Sequence, residues 1–323
     1  MPPSSPSPVV DVDALARREG FTVLDQLKQD YDNDVYLVEH DGEQRILKTV
    51  KQEDLVKNLD REVAYAMLVA SLALSQPDWT MRTSVPRLMG RGWMLRDKVD
   101  AEPLIAEDDP GRTDPIERVG RALADLDRLA PDPAGTPVAY RDPAGEPVKD
   151  VAHRMSEFSS WMDELSGGDA LGDLEPQRLL GRLEESRSRV QPGLEVWDTK
   201  FDDFLDLPDG KVGLYDLEFA HLWGRRYYDL GKIYGTLAVP FAVPDGARHL
   251  LSAFVDHAMV RRDQLAAACL PVLAECLLSQ LKDAADVDDD ASDDERKQAA
   301  EQTERARGLL VSALDGDLDA LCA

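Results

Sequence analysis

The alternation of apolar and polar positions changes character along the chain. Over residues 21–27, 35–40 and 45–50 it is short and two-residue in period, with Asp41-Gly42 between the second and third runs. Period-two alternation buries one face of a strand, and Asp-Gly between two such runs signals a two-residue hairpin turn, so an antiparallel meander is predicted. Over 53–74 the spacing lengthens, with Leu55, Leu59, Val63 and Met67 recurring four apart, which predicts a helix with one apolar face. Two more strands are predicted at 85–89 and 93–99. Beyond Leu104 helical spacing dominates, over 114–130, 149–165, 176–190, 225–237, 247–262 and 264–282, broken by one β-rich stretch at 194–215.

The blocks implied are residues 1–20, a Pro/Ser-rich flexible extension with a short polar helix; 21–100, a small antiparallel β lobe with one helix; and 101–282, a large mainly helical lobe. Residues 283–297, nearly all Asp, Ala, Ser and Glu in their first part, are expected to be a solvated acidic linker, and 298–323 to hold a last amphipathic helix. Strands first and helices afterwards make the class α+β.

Charge narrows the partners. Asp and Glu number 63 against 37 Lys and Arg, a formal net charge of −26, and a surface this acidic repels nucleic acid and anionic membrane. Acid excess spread over the whole chain resembles proteins of salt-accumulating organisms, where screening lowers self-repulsion. Cys269, Cys276 and Cys322 form no CxxC, so neither a disulfide framework nor a zinc site is expected. The five histidines show no metal-binding spacing. The first residues lack a basic, apolar leader pattern, and no run approaches ~18 apolar residues; the expected compartment is the cytoplasm.

The informative segment runs from Val196-Trp197-Asp198-Thr199-Lys200 through Asp202-Asp203 to Tyr215-Asp216-Leu217-Glu218, with Asp209-Gly210 as a turn between. Loop, short strand, turn and short strand make a hairpin whose ends gather Asp198, Asp203 and Asp216. Phosphoryl transfer uses such a set: one carboxylate orients or deprotonates the attacking hydroxyl, and hard oxygens hold Mg²⁺ on the phosphates. Each residue alone has an ordinary explanation: Lys48 an exposed strand lysine, Glu62 a helix-surface acid, Asp202-Asp203 a turn, Arg225-Arg226 a solvated loop pair.

In this segment the chain resembles the protein-kinase-like superfamily, and within it the aminoglycoside phosphotransferase and choline kinase group. The catalytic loop of that group reads His-Gly-Asp with Asn five residues on, and its metal-binding Asp often stands in Asp-x-Glu. Asp198 matches the catalytic base, Asp216-Leu217-Glu218 the metal motif, and Tyr228-Asp229-Leu230 the Tyr-Asp-Leu that follows, in which the Asp braces the catalytic loop. Upstream, Arg45-Ile46-Leu47-Lys48 looks like the lysine strand, and Glu62 like its helix partner. Residues 85–104 look like the strands and hinge leading out of the small lobe, which implies Leu95, Asp97 and Val99 facing adenine. Residues 120–126 resemble the first large-lobe helix.

Spanning about 21–238 in order, the resemblance implies a two-lobed kinase-like fold with ATP and Mg²⁺ as cofactors. The implied assignments are Lys48 and Glu62 at the phosphates, Asp203 and Asp216 at the metal, and Asp198 with Lys200 in catalysis. The pattern departs in four places. Val196-Trp197 replaces His-Gly, Asp203 replaces Asn, Asp127 replaces a frequent His, and the phosphate-covering segment 29–34 is acidic and lacks glycine. Close carboxylates repel one another and raise some pKa values, so the site is expected to depend on Mg²⁺. The reading adopted is an ATP-dependent phosphotransferase acting on a hydroxyl or amine of a small molecule. A Ser/Thr protein kinase, suggested by Lys200, and a non-catalytic pseudokinase binding nucleotide or a partner stay open beside it.

Overall fold

Helix α1 (Val12–Glu19) opens the computed structural model, which describes residues 9–29, 31–76, 78–106, 108–128, 151–167, 169–197, 199–258, 261–287, 291–317 and 321. Asp11 caps it by accepting the Ala14 N–H at 2.9 Å, and Gly20 ends it at φ +77°. Its single buried residue, Leu15, packs with Phe21, Val38, Leu47, Trp93 and Leu95, so α1 covers one face of the sheet that follows.

That sheet begins with β1 (Thr22–Gln29), β2 (Asn33–His40) and β3 (Glu43–Val50), all antiparallel. The β2–β3 turn is the one that Asp41-Gly42 predicts, with φ of +54° and +75°, as a type I′ turn requires. A 3₁₀ turn over Glu53–Leu55 leads into α2 (Val56–Ser75). Leu59 and Val63 are buried as expected, whereas Met67 is 52% exposed. Steps of four residues advance about 40° beyond a full turn each, so the row that starts at Leu55 rotates out of the core by Met67. The C-terminal half of α2 buries Tyr65, Ala66, Leu68 and Val69 in the large-lobe core instead.

Strand β4 (Met81–Arg82), too short to show a period in the sequence, precedes β5 (Leu88–Gly90) and β6 (Trp93–Asp97). The small-lobe sheet has the order β1-β2-β3-β6-β5. After the hinge come α3 (Thr113–Asp127), α4 (Val151–Ser166), α5 (Pro176–Arg187), β7 (Pro192–Glu195), β8 (Phe204–Asp206), β9 (Val212–Leu214) and β10 (His221–Arg225). They are followed by α6 (Tyr228–Ala238), α7 (Pro244–Ala258), α8 (Arg262–Ala285) and α9 (Asp293–Asp315). The chain is therefore α+β, with a small antiparallel lobe and a large mainly helical one. A helix was predicted from 225, but Arg225 ends β10, and Tyr227 at φ +70° delays the helix to Tyr228.

Two features fasten the lobes. Strand β4 pairs in parallel with β9, joining the segment after α2 to the β8–β9 hairpin. Beside it the buried Asp125 of α3 accepts the Thr80 N–H (2.6 Å) and hydroxyl (2.7 Å), and contacts His257 Nε2 at 2.9 Å. Helix α8 is apolar enough over Asp263–Ala285 to match a membrane span, yet 72% of that window is buried inside the fold; a helix apolar all round belongs in a core. Helix α9 starts five residues earlier than its apolar spacing suggests. Ser292 and Glu295 form a reciprocal capping box, and acids in a first turn are favoured by the helix dipole, so part of the acidic run is helix N-terminus.

The packing of α1 is testable. Leu15→Ala should lower the unfolding free energy by about 2–4 kcal/mol, read by urea titration, whereas Leu24→Ala on the exposed face of β1 should change it by under about 0.5 kcal/mol. Equally small effects would show that α1 lies outside the small-lobe core.

Candidate active site in the interlobe cleft

Lys48 organises the cleft. It lies opposite Val35 and Met94 in the sheet, which turns its side chain away from α1. Its Nζ donates to Glu62 Oε2 of α2 at 2.8 Å and to Glu218 Oε2 at 2.9 Å, and lies 3.9 Å from Asp216 Oδ1. Glu62 is 2% exposed and also accepts Arg96 Nη1 at 3.1 Å, while the same Arg96 nitrogen reaches the Tyr215 carbonyl at 3.1 Å. Asn33 Nδ2 donates to Glu218 Oε2 at 3.3 Å, and Arg61 Nη1 to the Glu218 carbonyl at 3.3 Å. Burial pulls the Lys48 pKa down, but Glu62, Asp216 and Glu218 more than offset it and hold the ammonium well above its ordinary value. Burial raises Glu218, and Lys48 only partly reverses that.

The β8–β9 hairpin supplies the other wall. Phe204 pairs directly with Leu214, so Asp203, just before β8, and Asp216, just after β9, flank the same end of the ladder. The Lys200 N–H donates to Asp203 Oδ2 at 2.7 Å. Burial pushes Asp203 up to about 7; the Lys200 N–H opposes this, and the charges of Asp216 and Asp202 add to it. Carboxylate oxygens of Glu62, Asp216 and Glu218 lie within 4.8 Å of one another. A cleft of about 230 Å³ opens between Val35, Lys48, Asp203, Leu205 and Asp216. A donor set of carboxylate oxygens alone fits a hard divalent cation such as Mg²⁺.

Behind this wall the loop after β7 is braced from below. Asp229 accepts the Val196 N–H at 2.9 Å and the Thr199 hydroxyl at 2.5 Å, the bracing role that Tyr-Asp-Leu implies. Burial raises Asp229 to about 6, the two hydrogen bonds opposing the shift. Lys232 Nζ donates to the Trp197 carbonyl at 3.2 Å. Asp198 lies outside the described residues. Lys200 is exposed; its backbone N–H donates to Asp203, and its charge also favours the ionised Asp203 carboxylate.

Three expected nucleotide contacts are not brought to the cleft. Lys48 pairs with Met94 and Leu47 with Leu95, so Leu95 falls on the opposite sheet face, in the cluster under α1. Asp97 shares that parity and pairs with Arg45 and Arg87. Val99 and Asp97 line a separate groove behind the hinge with Leu74 and Leu207. The alternation that predicted these strands, read with its register, points to Arg96 instead, and Arg96, Asn33 and Arg61 are site residues that sequence reasoning missed. Nor is Arg225-Arg226 a solvated pair: Arg225 is buried against Glu195 and Glu275, and Arg226 binds both Asp127 oxygens at 2.7 Å. Asp34, expected to present acid to a phosphate, lies 3.2 Å from Lys51.

The sequence model of the family described as phosphotransferase enzyme family matches residues 23–267. No curated protein matches the chain in sequence. Among solved structures it is similar to the macrolide 2'-phosphotransferase MphH of Brachybacterium faecium, at 18% identity and TM-score 0.55, over 91% of this chain and 98% of that one. It is similar also to an aminoglycoside phosphotransferase, so described as putative, of Ralstonia eutropha, at 14% identity and TM-score 0.57, over 95% and 97%. A third is the ethanolamine kinase of Plasmodium vivax, at 10% identity and TM-score 0.54, over 91% and 84%. At these identities the likeness is one of fold.

The raised Asp203 carries a signed pH dependence. A carboxyl whose pKa rises on folding contributes stability that is complete below about pH 4, its unfolded value, and that is lost as pH climbs through about 7. Asp203→Asn, which keeps the acceptor for the Lys200 N–H, should therefore melt with the wild type at pH 3.5. At pH 8 without Mg²⁺ it should be more stable by about 1–3 kcal/mol. A difference of the same size at both pH values would refute the burial of that charge.

Proposed function

The chain belongs to the phosphotransferase enzyme family, and we propose that it moves the γ-phosphate of ATP, with Mg²⁺, onto a hydroxyl or amine of a small molecule. The observation that carries this reading is Lys48, held at 2.8 Å by Glu62 and facing Asp216 across the cleft. A fixed ammonium beside hard carboxylates is what phosphoryl transfer asks of a protein, because the chemistry is mainly positioning and charge neutralisation.

Lys48, aimed by Glu62, would hold the phosphates. Asp203 and Asp216, with Glu218 beside them, would hold Mg²⁺, which when bound draws off charge from the phosphate oxygens. Asp198 would orient the acceptor and take its proton. Val196 and Thr199, both hydrogen-bonded to Asp229, would keep that loop from drifting. A small acceptor accords with the substrates that name the structurally similar enzymes, a macrolide and ethanolamine among them.

ADP release, followed across a panel of hydroxyl- and amine-bearing metabolites, tests the assignment. Asp198→Asn should cut turnover by about 10²-fold or more while ATP affinity, measured by titration calorimetry, stays within about twofold. Unchanged turnover would remove Asp198 from the mechanism.

A further inference from the structure

Both exits from the β7–β10 ribbon pass through an aromatic residue in the left-handed region, Trp197 at φ +77° after β7 and Tyr227 at φ +70° after β10. Bulky side chains avoid that region, and glycine takes it freely. Something must hold Trp197 there. Its ring stacks on Tyr228, with centroids 6.1 Å apart and planes at 30°. The Arg225 guanidinium lies 5.3 Å from the Trp197 centroid and 3.7 Å from that of Tyr228, within cation–π range of both.

Arg225 is itself fixed. It is 3% exposed, its backbone N–H and Nε donate to Glu195 Oε2 at 2.6 and 3.1 Å, and its Nη1 donates to Glu275 Oε2 at 3.0 Å. Glu275 in α8 also takes Arg187 of α5 at 2.9 Å and lies 3.6 Å from Arg154 of α4. The guanidinium that faces Trp197 is thus anchored to the strand just before the loop and, through Glu275, to three helices of the large lobe. Buried ion clusters of this kind add little stability over an apolar core, but they do fix geometry.

We propose that Arg225, with Tyr228, is a positioning residue that clamps Trp197 in the left-handed conformation and so holds the backbone of the neighbouring Val196, Thr199 and Lys200 in place. The clamp works on the same stretch of backbone that Asp229 and Lys232 hold through Val196, Thr199 and the Trp197 carbonyl. Its rate readout rests on the phosphotransfer reading; its stability readout does not.

The test compares Trp197→Ala with Trp197→Gly. Both lose the ring, and they differ only in the Cβ that disfavours positive φ. Trp197→Ala should lose about tenfold in kcat with KM for ATP unchanged, and Trp197→Gly should recover most of that loss. The glycine variant should also melt about 2–4 °C above the alanine variant. Arg225→Lys, which keeps a cation between Glu195 and Glu275, should slow the wild type more than it slows Trp197→Gly. Equal rates and equal melting for the two Trp197 variants would overturn the proposal, as would an Arg225→Lys effect of the same size in both backgrounds. If the wild type transfers no phosphate, the proposed function falls while melting still decides the clamp: an Arg225→Lys loss of midpoint that is larger in the wild type than in Trp197→Gly sustains it, and equal losses in the two backgrounds end it.

Discussion

A single buried ammonium sets the geometry of this molecule. Lys48 belongs to the small lobe, Glu62 to the helix that spans both cores, and Glu218 and Asp216 to the large lobe. A charge taken out of water must be paired, so the lobes are held at the separation that lets these carboxylates reach one nitrogen. Such pairs contribute more to specificity than to net stability. The bulk of the free energy comes from the continuous apolar core that runs from α2 through α8 to α9. The β4–β9 pairing and the Thr80–Asp125 contacts act as a second fastening at the other end of α2.

The cleft carries more negative charge than it neutralises. Asp203 is pushed up by burial with Asp216 and Asp202 beside it, and Glu218 by burial. A triphosphate entering alone would meet repulsion; a divalent cation would turn the same oxygens into ligands. The two departures at Val196-Trp197 look different in this light. Where the family pattern has glycine, this chain carries Trp197 in the left-handed region, its ring set against a buried arginine. At Asp127 the departure is met by Arg226, which binds it through two nitrogens.

Much of this was legible in the sequence, for identifiable reasons. Asp41-Gly42 and the flanking alternation predict the β2–β3 hairpin, and the order of Lys48, Glu62, Asp203 and Asp216 along the chain matches their meeting in the cleft. Leu95 and Asp97 were misread because the lysine strand was located without its register: Lys48 opposes Met94, so the cleft-side residue is Arg96. Arg225 was misread because an arginine pair in a loop gives no sign of burial, and its partner Glu275 lies fifty residues away inside an apolar helix. The start of α9 was hidden because acids mark both a solvated linker and a helix N-terminus, and only the Ser292–Glu295 geometry separates them.

The unfolding midpoint with ATP, with Mg²⁺, and with both together tests the central claim most directly, because only ligands that bind the folded state raise it. If Lys48 and its carboxylates form a metal-nucleotide site, the midpoint rises with both together and hardly moves with ATP alone, and Lys48→Met abolishes the rise. An equal rise with ATP alone, a rise that survives Lys48→Met, or none with both would contradict the account.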